Sequence, residues 1–302
     1  MFRLAVDLAA LLRSWQLELA ADRKSPETIH AYTQGVTRFL RWCAEHDRVA
    51  VLDRPTVTAF VAGLLEGGAE GATARARLLA LRRFSAWLAR EGEIPVDEVA
   101  GMKPPRLDVK IVEALSDDQL RALIAACAST GNKLRDRRDE ALIRFMVETG
   151  ARAGEVVALK LADVHLAVGV ATIRRGKGGK GRTVPFGPTT ARALDRYIRV
   201  RRSHRLAASS PNLWLGDRGR PFSYDGLYKS LSMRARQAGI EGFHPHRLRH
   251  TAAHRWLAAG GSEVGLMAVA GWAKPDMLVR YTRSQASARA AEEARRLNLG
   301  DL

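Results

Sequence analysis

Residues 244–250 read His-Pro-His-Arg-Leu-Arg-His, and the reading of the whole chain turns on that stretch. Pro245 suits the first turn of a helix, where its missing N–H costs nothing. On such a helix His246 and Arg249 lie one turn apart, and His250 and His254 continue a four-residue spacing on the same face. Histidines at that spacing invite a zinc site. Arg247, however, stands where a metalloprotease carries its general-base Glu, and Arg249 sets a second positive charge beside any ion. No acidic ligand accompanies them. Zinc is disfavoured, and histidine beside arginine suits an anion better.

Pieces on either side carry similar chemistry. Thr149-Gly150-Ala151-Arg152-Ala153-Gly154-Glu155 places an arginine at a helix start, with a glutamate three residues on. A helix N-terminus favours anions, and an arginine there sharpens the preference. Val168, Val170 and Ile173 alternate, a Gly/Lys run follows over 176–181, and Thr183-Val184-Pro185 returns, which predicts a hairpin near 168–187. Downstream stand Ala270-Gly271-Trp272 and Arg280-Tyr281-Thr282. Each piece alone is a weak signal, since an arginine at a helix start usually serves structure and a tyrosine usually packs. Other chemistries lack their signatures. There is no Gly-x-x-x-x-Gly-Lys-Ser/Thr loop for nucleotide hydrolysis, no Gly-x-Ser-x-Gly elbow and no spaced carboxylates for a two-metal nuclease.

Charge supports an anionic partner. The 302 residues hold 49 Lys+Arg against 32 Asp+Glu, a net +17. Residues 1–100 hold 13 of each, so the whole excess lies in 101–302. Forty of the basic residues are Arg, whose planar fork grips phosphate oxygens in pairs. Nucleic acid is the expected partner. Two cysteines, Cys43 and Cys127, form no disulfide framework or C-x-x-C pair, which fits a reducing, cytoplasmic setting. No run approaches the ~18 apolar residues of a membrane span, and no signal-peptide pattern opens the chain.

Residues 1–100 read as a helical domain. Leu4, Leu8, Leu11, Leu12, Trp15 and Leu19 form one apolar stripe. Ser25-Pro26 opens a second helix that buries Ile29, Tyr32, Val36, Phe39, Leu40 and Cys43. A third helix runs near 56–65, and a fourth over about 72–91 buries Ala74, Leu78, Leu81 and Leu88. Arg75, Arg82, Arg83 and Arg90 share one side of that fourth helix, a candidate contact for a DNA backbone. Residues 101–112, with Pro104-Pro105, read as an extended linker. The remainder, 113–302, reads as a mixed α+β domain with helices near 117–129, 136–149 and 153–160, the hairpin, and helices again to a terminal one at 284–298. The expected fold class is mainly α, with a small β-hairpin or sheet in the second domain.

Taken together and in this order, the pieces resemble the tyrosine recombinases, the phage integrase family. "TGARAGEVVAL" looks like its first-arginine box, with Arg152 and Glu155. "RRGKGGKGRTVPF" looks like its hairpin lysine, at Lys177, with Lys180 as a rival. "HPHRLRH" matches its His-x-x-Arg box, with His246 and Arg249. "AGWAKPDMLVRYT" is similar to the segment bearing the nucleophile, with Trp272 where most members have His and Tyr281 as the tyrosine.

The resemblance implies a helical core-binding domain, a linker and a catalytic domain that clamp double-stranded DNA. It implies a 3′-phosphotyrosyl intermediate formed by Tyr281, with Arg152, Arg249 and Trp272 stabilising the phosphorus centre. His246 then serves as acid/base assistant, Lys177 protonates the leaving 5′-oxygen, and Glu155 orients Arg152. It implies no metal and no cofactor, a homotetramer on paired sites with the terminal helix docked in a neighbour, and room for accessory DNA-bending proteins. A type IB topoisomerase-like enzyme that only nicks and relaxes shares this residue set. A catalytically silent DNA-binding protein or an RNA binder would share the charge but leave the tyrosine box unexplained.

Overall fold

The computed structural model describes residues 6–107, 113–128, 131–174, 181–272 and 295–296. Lys177, Lys180 and Tyr281 lie outside them, as does the expected terminal helix except for helical residues 295–296. The chain divides into two compact units, residues 1–110 and 111–302. Among the described residues both are mainly helical, with one small antiparallel sheet in the second.

Among the described residues four helices build the first unit: α1 (Leu8–Ala21), α2 (Pro26–Glu45), α3 (Arg54–Glu66) and α4 (Gly71–Arg90). Side-chain caps set three of the starts. Asp7 accepts the N–H groups of Ala9 and Ala10, Ser25 that of Thr28, and Asp53 that of Thr56. Such a cap is worth ~1 kcal/mol. Most of the expected stripes are buried: Leu8, Leu12, Trp15 and Leu19 on α1, Val36, Phe39 and Cys43 on α2, and Ala74, Leu78, Leu81 and Leu88 on α4. Leu11, Ile29, Tyr32 and Leu40 are half-buried against that core, and Leu4 lies outside the described residues. Phe60 of α3 meets Phe39 edge-on at 5.4 Å, and Trp15 tilts on Phe84 at 5.0 Å. Gly35 lets α2 and α4 close together, because a Cβ there would stand 2.3 Å from the Ala80 Cβ.

In the second unit α5 (Asp117–Ala125) starts at the expected capping box of Ser116 and Gln119, then tightens to a 3-10 turn at Ala126–Ala128. The central helix α6 (Lys133–Thr149) begins three residues before the sequence reading placed it, on an Asn132 cap. It packs against α8 (Pro188–Arg201) and α10 (Pro245–Ala258). The core around it holds Leu142, Phe145, Met146, Leu194, Tyr197, Trp214 and Leu248. Helix α7 is Ala153–Val157 rather than 153–160. Tertiary bonds stop it: Trp214 Nε1 donates to Val156 O at 2.8 Å, and Leu213 N to Leu159 O at 2.8 Å.

The expected hairpin is the larger part of a three-stranded sheet. β1 (Val164–His165) adds an edge to β2 (Val170–Ile173), which pairs with β3 (Arg182–Pro185). The register sets Ile173 opposite Arg182 and Ala171 opposite Val184. Ala171, Ile173 and Val184 point inward, and Arg182 is the first residue of β3. Helices α9 (Tyr224–Gln237) and α11 (Glu263–Ala270) also belong to the unit. No helix among the described residues is long and apolar enough to cross a membrane.

Candidate active site

Arg152 is placed by a turn that only a few residues can make. Gly150 ends α6 in the left-handed region at φ +60°, and Arg152 follows as the N-cap residue of α7. Glu155 reaches back from the third helical position to accept the Arg152 N–H at 2.9 Å. Its Oε1 also accepts Arg152 Nη1 at 2.8 Å. The arginine's other nitrogen, Nη2, donates to the carbonyl of Gly271 at 3.1 Å.

Arg249 arrives from the first turns of α10 and is buried. Nη1 donates to Gly150 O at 2.5 Å and Nη2 to Ala270 O at 2.8 Å, and its guanidinium lies 5.3 Å from the Trp272 ring centre. Trp272 itself is buried against Ala253, Leu257, Leu266 and Ala270. A third arginine, with no local sequence signal to mark it, joins them. Arg182 on β3 donates Nη1 and Nη2 to the two oxygens of Glu155, at 3.0 and 2.7 Å, and Nε to Val269 O at 2.7 Å.

Three arginines from three elements therefore hold three consecutive carbonyls, Val269, Ala270 and Gly271, at the C-terminus of α11. Those groups carry the negative end of a helix dipole and lack partners within their own helix. Burial alone would raise the Glu155 carboxyl, but the bonds and charge of Arg182, with the backbone and side-chain hydrogen bonds of Arg152, hold it at about 2. Glu155 pairs with two guanidiniums, those of Arg152 and Arg182, while Arg249 is held on carbonyls, so three arginine charges stand against one carboxylate.

His246 is exposed at the start of α10, with His244 on one side and His250 beneath it, rings perpendicular and 4.6 Å apart. Burial, with the neighbouring His246, His244, His254 and Arg249, pushes the His250 imidazole down to about 4. Among the described residues no cluster of His, Cys, Asp or Glu could hold a metal ion.

In the first unit the basic stripe is not uniform. Arg75 and Arg83 are exposed, Arg82 is half-buried, and none of the three makes an ion pair with a described residue. Arg90 is committed elsewhere: its Nη2 is bound to Glu18 of α1, which also accepts Trp87 Nε1. Of the four arginines expected to face a DNA backbone, Arg90 alone is paired with a described residue of the unit, and its side chain remains 61% exposed.

Fold and site define a two-unit, mainly helical protein whose second unit gathers Arg152, Arg182 and Arg249 around one carboxylate and the end of α11. Residues 113–288 match the phage integrase family, and residues 12–92 match the N-terminal SAM-like domain of phage integrases. The chain is 32% identical over 274 residues to the tyrosine recombinase XerC 2 of Ralstonia nicotianae, covering 85% of this chain and 77% of that one. It is 29% identical over 242 residues to the tyrosine recombinase XerD of Oceanobacillus iheyensis, covering 78% and 80%. In fold it resembles a lambda integrase dimer bound to a COC′ core site (TM-score 0.71, 18% identity, 91% and 76% covered). It also resembles the Tn1549 transposon integrase in complex with transposon right end DNA (TM-score 0.72, 16% identity, 96% and 99% covered). The chain belongs to the phage integrase family: it is a site-specific tyrosine recombinase.

Proposed function

We propose that this recombinase cuts and rejoins duplex DNA at paired sites through a 3′-phosphotyrosine on Tyr281. The phenolic oxygen attacks the scissile phosphorus and its proton passes to His246. The bond from phosphorus to the 5′-oxygen breaks, and that oxygen leaves with a proton from Lys177. A 5′-hydroxyl from the paired site then attacks the phosphotyrosine and restores both the diester and the phenol. Arg152 and Arg249 clamp the non-bridging oxygens, Trp272 lines the same site, and Glu155 orients Arg152. The observation that carries this reading is the gathering of Arg152 and Arg249 on the adjacent carbonyls of Gly271 and Ala270, with the Trp272 ring against Arg249.

Residues 1–100 act as the core-binding domain and 113–302 as the catalytic domain, joined by a linker at 101–112. Arg75, Arg82 and Arg83 contact the DNA backbone, and Arg90 supports the helix that carries them. The working form is a homotetramer in the cytoplasm, closed by exchange of the terminal helix, with no metal or nucleotide in the step.

The test uses a nicked form of the duplex that the full chain selects from a random pool. Wild-type protein becomes covalently attached to a 3′-phosphate in chelator, and Tyr281→Phe binds the duplex but gives no adduct. Arg152→Ala and Arg249→Ala each slow attachment by ~10²–10³-fold, the usual cost of one transition-state donor. A sulfur in place of the bridging 5′-oxygen rescues Lys177→Ala, because a thiolate leaves without a proton, and does not rescue the arginine variants. An adduct on Tyr281→Phe would overturn the assignment, and rescue of Lys180→Ala alone would move the acid to the other lysine.

A further inference from the structure

The geometry points to Arg182 as a positioning residue for the phosphate clamp: it braces Glu155 from behind and ties that brace to the C-terminus of α11. This rests on the proposed role of Arg152. Arg152 spends one nitrogen on Glu155 Oε1, and its backbone N–H holds Oε2. Those two contacts are local and leave the carboxylate free to tilt about its own side-chain bonds. Arg182 removes that freedom with a bidentate bond to the same two oxygens. Paired forks of this kind fix plane as well as distance.

The third nitrogen of Arg182 makes the brace more than a neutralising charge. Nε bonds Val269 O, two residues before the Gly271 carbonyl that Arg152 holds. A continuous bonded path thus runs from β3 through Glu155 to Arg152, and returns through α11 to β3. Arg249 joins the path at Ala270. The Arg182 guanidinium also lies under Gly271, where an added Cβ would meet its Nη1 at 2.8 Å and φ is +65°. Only 12% of the Arg182 side chain is exposed, so it does not serve as an ordinary surface contact for a phosphate. Arg182 acts through Arg152 and need not touch substrate.

A second consequence is electrical. Glu155 faces Arg152 from its own helix and Arg182 from β3, and burial opposes its charge. With Arg182 removed, one counter-charge remains against that burial and the carboxyl takes up a proton at higher pH. A protonated Glu155 cannot accept both Arg152 bonds, so the rate of a variant should fall towards acid where the wild type holds.

The experiment measures covalent attachment to the same nicked duplex from pH 5 to pH 8, alongside duplex affinity and thermal melting. Arg182→Gln should bind within about threefold and attach about 100-fold more slowly, the usual cost of a misplaced catalytic group. Its acid limb should move to higher pH. Arg182→Lys keeps the charge without the fork, so it should recover part of the rate and return the limb to its wild-type place. Glu155→Gln should be slow with no new limb. Wild-type attachment by Arg182→Gln, or a loss explained wholly by affinity, overturns the inference. If Arg182→Gln does not fold, Arg182→Lys decides: reduced attachment at wild-type affinity supports the brace, and a full rate overturns it. Arg152→Ala in the same assay separates the two levels. If it attaches normally the clamp itself is wrong; if it is inactive while Arg182→Gln is normal, only the brace is wrong.

Discussion

Among the described residues of the first unit, Ser85 is the one buried polar side chain. The second unit buries four arginines (Arg138, Arg201, Arg234, Arg249), three carboxylates (Asp139, Glu155, Asp163) and His250. The two units therefore hold together by different means. The first rests on aromatic and aliphatic area, at roughly 1.5–3 kcal/mol for each large apolar side chain buried. The second adds desolvated charges, which bring little net stability when paired and cost much when one partner is lost. Volume should be the weak point of the first unit and charge that of the second.

The largest effect is expected at Asp139. Its carboxylate accepts Arg138 Nη2 at 2.9 Å on one oxygen, and Arg234 Nε at 2.9 Å and Ser230 Oγ at 2.8 Å on the other. Asp139→Ala leaves two buried guanidiniums short of a counter-charge and should cost ~3–5 kcal/mol. Denaturant unfolding of the full chain reads this directly. A loss under 1 kcal/mol would show that the network relaxes freely and would blunt the contrast.

Acid should separate the units next. The His250 imidazole lies at about 4 in the folded chain against 6.5 when free. Below pH 6.5 the unfolded state takes up a proton that the folded state refuses, so stability falls as pH drops towards 4. The full change is about 3 kcal/mol. Glu155 adds stability above pH 4.5 that is lost only as pH falls towards 2. Hydrogen exchange on the full chain at pH 7 and pH 5, corrected for intrinsic rates, should show protection lost mainly in peptides from 111–302. Equal loss in both units would break the comparison.

The first unit should fail by crowding. Gly35→Ala drives a methyl into the Ala80 methyl and should cost ~1–3 kcal/mol, the usual range for overpacking. Adding Ala80→Gly should recover part of that loss, a coupling that a double-mutant cycle measures. The smallest effect belongs to the exposed stripe. Arg83→Ala should leave melting almost unchanged, while the slope of log affinity against log salt falls by ~0.9.

The same contrast governs what could be read in the residue string. The helices of the first unit were legible because one apolar face at helical spacing does most of the work, and Ser25 and Pro26 announce a start. In the second unit Ser116 with Gln119, and Arg152 with Glu155, were legible for the same local reason: three residues separate the partners. Arg182 was not, since its partner Glu155 is 27 residues away and its own neighbours form a basic run in which any one cation looks like another. The pairing of Arg90 was equally hidden, because Glu18 lies 72 residues off. β1 has two residues and no alternation to show, and α7 is cut short by Trp214 and Leu213, which no local pattern announces.

The hold of Arg182, Arg249 and Arg152 on Val269, Ala270 and Gly271 has an evolutionary consequence. Carbonyl oxygens belong to every residue, so drift at 269 and 270 is filtered by packing and leaves the hydrogen-bond acceptors in place. Gly271 is the exception, with its positive φ and the guanidinium beneath it. A single-residue insertion or deletion in α11 is another matter. It would rotate all three acceptors by about 100° and carry them about 1.5 Å along the helix axis, away from every arginine at once. Lineages of this chain should therefore vary in the letters of α11 while keeping its count.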